Sequence, residues 1–99
     1  MNNEIEQEIN LQTAQIHWHD LQRFFASGNA IAVDASLDLT HVAAEIVADN
    51  AAQIKTWMDA NLVDVVTDAQ AQAWYEQNSL VWAVVIKPWV VVQAIKAIH

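Results

Sequence analysis

The feature that most constrains the fold is a pair of short apolar segments near the end of the chain. Residues 81–86 (Val-Trp-Ala-Val-Val-Ile) and residues 89–93 (Trp-Val-Val-Val-Gln) are separated only by Lys87–Pro88. Both are rich in β-branched and aromatic residues, and each is too short for a buried helix, so both are predicted strands. Neither alternates between apolar and polar residues, so one face packed on helices does not account for the other. That second face either meets a partner or is covered by further helices in a monomer.

The proline between the two segments limits how they connect. Proline has no N–H to donate to a strand ladder, so Pro88 is expected at a turn, a bulge or a sheet edge. A two-residue loop of Lys87–Pro88 would place proline at the disfavoured second central position. The sequence therefore favours a turn centred on residues 88–89 or a bulged bend, with part of residues 81–93 at a sheet edge.

The first part of the chain follows a helical pattern. Asn3 and Glu6 have the spacing of a capping box, so a helix is predicted to begin at Asn3. Its apolar stripe shifts at residues 16–18, which indicates a bend or a break. The helical segment is expected to end at Gly28, the single glycine of the chain, because a glycine just past a helix is the usual left-handed C-cap.

The clearest helical pattern follows a short apolar strand predicted at Ala30–Val33. Asp38 is a suitable N-cap, because its side chain can accept a hydrogen bond from the first turn. Five apolar residues after it have helical spacing without a fault: Leu39, Val42, Ala43, Ile46 and Val47. This stripe predicts a helix that buries Ile46 and Val47 and that breaks at residues 49–50.

Two further helices and one short strand complete the pattern. A helix carrying Trp57 and Met58 is predicted to end near Asn61, followed by a strand at residues 62–66. The capping box at residues 67–70 begins a last helix. The sequence therefore predicts a single domain over residues 1–99, an α+β fold with several helices packed on a small, largely antiparallel sheet.

Charge and composition exclude several classes of function. Four Lys and Arg against twelve Asp and Glu give a net charge of −8, which repels a phosphate backbone, so no nucleic-acid partner is predicted. The absence of cysteine excludes disulfides and thiolate metal sites. No charge-free stretch reaches the about 20 residues of a membrane span. The start of the chain lacks a secretory signal, so a cytoplasmic protein is predicted.

Few residues suggest catalysis or a cofactor. His17 and His19 are two positions apart, which on a helix points them away from each other. Together with His41 they do not form the converging set that zinc requires, so no metal ligand is predicted. No nucleophile motif and no glycine-rich loop occur, so neither a catalytic residue nor a cofactor is predicted.

Two sets of residues are candidates for binding. Asp34 follows a predicted strand and Asp38 begins the next helix, a place where α/β sheets often bind ligands, and Arg23 could pair with them. The alternative is that Asp38 only caps its helix and Asp34 only ends its strand. Trp82 and Trp89 flank the proline, where they could anchor a protein partner or pack inside the core.

Three segments resemble a known family. They are residues 21–26 (Leu-Gln-Arg-Phe-Phe-Ala) with Gly28, residues 33–39 (Val-Asp-Ala-Ser-Leu-Asp-Leu), and residues 82–93 around the Pro-Trp-Val sequence. Across nearly its whole length the chain resembles the DUF2288 family of small bacterial proteins, which is catalogued only as a domain of unknown function. Where this chain has Ile16 before His17 and Trp18, relatives are expected to have a proline before the tryptophan. The resemblance implies domain boundaries and no activity.

The composition favours an interaction protein. Apolar residues make up 55% and charged residues 16% of the chain, against about 45–50% and about 25% in typical domains. Either Asn, Gln and Ala cover much of the surface, or apolar surface is buried in a homodimer or against another protein, through the C-terminal strands. The leading prediction is therefore a non-enzymatic interaction module that self-associates. The alternative is a small-molecule-binding protein or an unrecognised enzyme that uses Arg23, Asp34 and Asp38.

Overall fold

The computed structural model describes residues 3–95, except for the side chains of residues 3–6 and Asn10. Helices and strands follow one another along the chain with short connections. In order they are α1 (Asn3–Gln12), β1 (Ala14–His17), a 3₁₀ turn (Trp18–Leu21), α2 (Gln22–Ala26), β2 (Ala30–Val33), α3 (Leu39–Val47), α4 (Ala51–Asp59), β3 (Val63–Val65), α5 (Asp68–Gln77), β4 (Leu80–Ile86) and β5 (Trp89–Ala94). No helix within the described residues is long and apolar enough to cross a membrane.

The strands of residues 3–95 form one five-stranded sheet in the order β1-β4-β5-β2-β3. Three of its pairings are antiparallel (β1 with β4, β4 with β5, β2 with β3), and only β2 and β5 run parallel. The prediction of an α+β fold with a largely antiparallel sheet is therefore confirmed. The C-terminal strands β4 and β5 lie inside the sheet, whereas β1 and β3 form its two edges.

Both faces of the sheet are covered, which explains why β4 and β5 are apolar throughout. On one face, here called the α3 face, Val84 and Val91 pack with side chains of α1, α3 and α4. On the other, called the α5 face, Val81, Val90 and Val92 pack with the 3₁₀ turn and α5. The alternation of side chains along each strand sends neighbouring residues to opposite cores.

Two of the three predicted helix caps are confirmed, whereas the side chains of the third, Asn3 and Glu6, lie outside the described ones. The Asp38 carboxylate accepts a hydrogen bond from the Thr40 N–H at 3.0 Å. Thr67 and Gln70 form the complete capping box of α5. Asn78 ends that helix in the left-handed conformation, with φ 44°. These boundaries depend on contacts within a few residues, so the sequence alone was sufficient to place them.

The helix predicted to continue to Gly28 is interrupted by a strand, so that prediction is wrong. Residues Ala14–His17 form β1, and Ile16 pairs with Val81 and packs on the α5 face. Alanine and glutamine favour helices, but the pairing with β4 overrides this weak preference. The break predicted at residues 16–18 is confirmed, because β1 ends at His17 and the 3₁₀ turn begins at Trp18. The end of the segment also agrees, since Gly28 follows α2 with φ 77°.

The connection at the proline also differs from the prediction. Ile86 pairs with Trp89, so Lys87–Pro88 is the two-residue loop that the sequence disfavoured. The Lys87–Pro88 peptide is cis, the isomer that allows proline at the second central position of a tight turn. Pro88 thus lies outside the ladder, and the predicted edge position of residues 81–93 is wrong, because β1 and β2 flank the β4–β5 pair.

The core assignment of α3 is only partly correct. The helix buries Leu39, Val42, Ala43 and Ala44. Ile46 is half-buried, and Val47 is 46% exposed, so its predicted core position is wrong. Helical spacing identifies the inward-facing side of a helix but ignores where along its axis the covering elements end. In α3 the covering elements do not reach the last turn, so Val47 is left exposed to solvent.

The two valines of α3 give a matched test of this burial. Val42→Ala is expected to lower the free energy of unfolding by about 2 kcal/mol, because it removes buried methyl groups and leaves a cavity. Val47→Ala is expected to change it by less than about 0.5 kcal/mol. Both substitutions change helix propensity equally, so the difference between two urea melts reports burial alone. Equal effects would contradict the packing of α3.

Candidate functional site

The three residues predicted to bind a ligand do not share a cavity. Asp34 follows β2 and lines a cavity of about 250 Å³, while Asp38 lines another of about 310 Å³. Arg23 lines neither of them. It lies on α2, with its guanidinium 5.1 Å from the centre of the Phe24 ring. Because α2 leads into the start of β2 and Asp34 follows its end, the strand separates Arg23 from the two acids.

Asp34 and Asp38 have local structural partners. The Asp34 carboxylate accepts a hydrogen bond from the Ser36 N–H at 2.9 Å, and Asp38 caps α3. The Gln93 side-chain amide donates to the main-chain carbonyl oxygens of Asp34 and Leu37, at 2.8 and 2.7 Å. Gln93 thus ties β5 to the connection between β2 and α3. By sequence, residues 93–99 could form either a strand or a short helix. Gln93 and Ala94 belong to β5, and residues 96–99 lie outside the described residues.

The histidines also contact the fold. His17 Nδ1 lies 3.2 Å from the Asn78 carbonyl oxygen, and His19 Nε2 lies 2.9 Å from that of Tyr75. These carbonyls belong to the C-terminal end of α5, where carbonyl groups lack partners within the helix. His41 meets the Trp57 ring edge-on at 5.7 Å. No three His, Asp or Glu side chains converge as a metal site within the described part of the chain.

Trp82 and Trp89 lie on the same face of the sheet but on separate surfaces. Their register places them four residues apart along β4, a distance of roughly 13 Å. Val84 and Val91 lie between them, fully buried beneath α3. Trp82 is 37% exposed and lies next to β1, whereas Trp89 is half-buried near β2 and β3. The two tryptophans therefore cannot form one continuous patch.

The first edge of the sheet, β1, is open and uncharged. The Trp18 N–H donates to the Ser79 carbonyl at 2.8 Å, and the antiparallel alternation then places the backbone groups of Gln15 and His17 on the outer side. On the neighbouring strand β4, Leu80 pairs with His17 and Trp82 pairs with Gln15. These two β4 side chains are 42% and 37% exposed. No acidic residue occurs between Ile9 and His19. We call Gln15, His17, Leu80 and Trp82 the β1 surface.

The second edge, β3, is charged and partly blocked. The Asp34 N–H donates to the Leu62 carbonyl at 2.8 Å, so Val63 and Val65 direct their backbone groups outward. The Val65 N–H donates to the Asp64 carboxylate at 2.7 Å. A charged side chain on an edge strand discourages pairing with another strand. Asp64 therefore protects β3, and no residue of β1 does the same for the opposite edge.

Sequence reasoning missed this contrast between the edges. The sequence predicts the sheet edge within residues 81–93 and places residues 14–17 in a helical segment that bends or breaks at residues 16–18, so it does not predict a strand edge at Gln15 and His17. The available signal was the run from Ile9 to His19 without an acidic residue in a chain of net charge −8. The absence of acidic residues from this run does not indicate a sheet edge unless the order of the strands is known.

Comparisons with known proteins find relatives without an assigned activity. The family described as "Protein of unknown function (DUF2288)" matches residues 4–94. The NMR solution structure of PA1075 from Pseudomonas aeruginosa is 35% identical in sequence and superposes with a TM-score of 0.81. The match covers 92% of this chain and 87% of that chain. No curated protein is significantly similar.

Proposed function

The chain belongs to the DUF2288 family, a family of unknown function, and we propose that it is a non-enzymatic interaction module that self-associates through its β1 edge. We place it in the bacterial cytoplasm. The similar protein comes from Pseudomonas aeruginosa, and a chain without cysteine suits a reducing compartment. The observation that carries the proposal is the difference between the two sheet edges.

An open strand edge offers unpaired N–H and C=O groups to another strand. Proteins that must stay apart protect such edges with charge, proline or a covering element. Here the Asp64 carboxylate occupies an outward N–H of β3 at 2.7 Å, while β1 consists of Ala, Gln, Ile and His. The β1 edge is therefore the one available for addition of a strand.

The charge of the whole chain favours a second copy at this edge over other arrangements. Two chains of net charge −8 repel one another wherever their acidic surfaces meet. The stretch from Ile9 to His19 has no acidic residue, so two β1 strands can approach without that cost. Antiparallel pairing of β1 with β1 about a twofold axis is self-complementary and closes after two copies.

Such a dimer uses one of the two predicted partner-binding tryptophans. Trp82 is next to β1 in the register, so the second copy would cover part of its exposed ring and of Leu80. Trp89 lies beyond α3 and takes no part in this contact. The proposed interface is therefore the β1 edge together with the neighbouring side chains of β4, and not the C-terminal strands as a whole.

Light scattering after size exclusion tests the proposal on the intact chain. At about 100 µM, where even a micromolar dimer is populated, we expect a mass of twice the 11.1 kDa of the chain. For a dissociation constant of about 1 µM, about 7% of the chains would remain monomeric at that concentration. A mass of 11.1 kDa at that concentration would exclude the homodimer.

A further inference from the structure

An apolar groove of about 400 Å³ opens on the α3 face, at the end opposite the β1 surface. Strands β2, β3 and β5 form its floor, and α3 and α4 form its walls. The apolar side chains that line it are Ile31, Ile46, Ile54, Met58, Val63, Val65 and Trp89. Its volume lies within the range of small-molecule sites, about 300–1,000 Å³.

Apolar side chains around this groove remain open to solvent. Ile31, Ile54 and Trp89 are only half-buried, and Met58 and Val65 are 44% and 48% exposed. An exposed apolar concavity costs free energy in water, which a ligand of matching shape recovers when it buries that surface. The groove can therefore accept a hydrocarbon group.

The charges at the groove are of one sign. Among the described residues, the ionisable residues that line it are Asp49 and Asp64, and the Asp64 carboxylate lies at its outer rim, beside the Val65 N–H. Asp49 comes from the α3–α4 junction and Asp64 from β3, and both are exposed. Lys55, on the adjacent helix, is paired with Asp59 at 3.1 Å and does not line the groove. An anionic ligand would meet two like charges here.

We propose that this groove binds a small organic cation, a primary or quaternary amine that carries an aromatic or branched apolar group. The isoleucines and Met58 receive the apolar group. The Trp89 ring attracts the cation through its π face, and the two carboxylates complement its charge. This binding site is independent of self-association, since the β1 surface lies at the other end of the same face.

Binding can be tested by NMR titration of the ¹⁵N-labelled full chain with benzyltrimethylammonium. We expect saturable shifts at the Trp89 indole N–H and at the backbone amides of Ile31 and Val65. Phenylacetate and benzyl alcohol carry a similar ring with negative or no charge. Both are expected to bind at least about tenfold more weakly than the cation, because they lack the cation–π and carboxylate attractions.

Substitutions distinguish the groove from general attraction to an acidic protein. Asp49→Asn and Asp64→Asn should each weaken the cation several-fold, and asparagine at 64 keeps an oxygen that can accept the Val65 N–H. Asp20→Asn removes one equal charge on the opposite face of the sheet, where Asp20 is exposed on the 3₁₀ turn, and should leave the affinity unchanged. Val65→Lys places a fixed cation at the exposed rim and should abolish binding in a folded protein.

Four results would overturn this proposal. They are no saturable shift with the cation, shifts centred away from the groove, equal binding of benzyl alcohol, or equal effects of Asp20→Asn and Asp49→Asn. If the protein is monomeric but still shows the expected titration, the groove proposal is supported and the homodimer proposal is excluded. Failure of the two proposals is therefore distinguishable.

Discussion

Trp18→Ala is expected to lower the free energy of unfolding by about 3–5 kcal/mol, the usual cost of truncating a buried tryptophan. Trp18 is fully buried on the α5 face, with 0% exposure. Its ring centre lies 5.0 Å from that of Trp74 and 6.1 Å from that of Phe25. The substitution therefore leaves a large cavity bounded by α2 and α5. Small domains are stable by only about 5–15 kcal/mol, so we expect a measurable fraction of the variant to be unfolded at 37 °C.

Urea melts followed by circular dichroism measure this loss. Leu11→Ala is the control, because Leu11 is 85% exposed and its truncation should cost less than about 0.5 kcal/mol. Trp18→Phe should cost clearly less than Trp18→Ala, since phenylalanine refills part of the space. A loss below about 1 kcal/mol for Trp18→Ala would contradict its place in the core.

Gln15→Pro is expected to convert the dimer to a monomer while leaving the sheet intact. The Gln15 N–H points away from β4, as the bond from the Trp18 N–H to the Ser79 carbonyl establishes. A proline at this position removes a donor that only a second copy can use, and an edge strand tolerates it. The measurement is mass by light scattering, together with circular dichroism to confirm the fold.

Val65→Pro provides the matched control on the opposite edge. The Val65 N–H also points outward, but the Asp64 carboxylate already accepts it at 2.7 Å, so the dimer should persist. Should Gln15→Pro unfold, Gln15→Lys keeps the backbone donor and places two like charges across the twofold axis. A dimer that survives both changes at Gln15, or that is lost with Val65→Pro, would refute the β1 interface.

The sequence predicted those parts of the fold that depend on neighbouring residues. The Asp38 cap, the capping box of Thr67 and Gln70, and the strand Ala30–Val33 all depend on contacts or patterns within one element. The alternation of β4 and β5 between two apolar faces also followed from the residue types alone. Local preference and final structure agree at these positions.

The missed features depend on residues far apart in the chain. β1 is a strand because Ile16 meets Val81, and nothing in its own composition overcomes the helical pattern around it. The three candidate ligand-binding residues lie apart for a related reason. Arg23, Asp34 and Asp38 are near in sequence, but β2 separates Arg23 from the other two. The groove and the β1 surface each draw on several elements, so only the order of the strands reveals them.

The position of β5 has a consequence for synthesis of the protein in the cell. Strand β5 lies between β4 and β2, so it joins the β1–β4 pair to the β2–β3 pair in the sheet. Translation at about 5–20 residues per second exposes the earlier strands for several seconds before β5 leaves the ribosome. During that time the valines of β2 and β3 have no central strand to pack beside. The nascent chain should therefore be a good client for a ribosome-associated chaperone until β5 emerges.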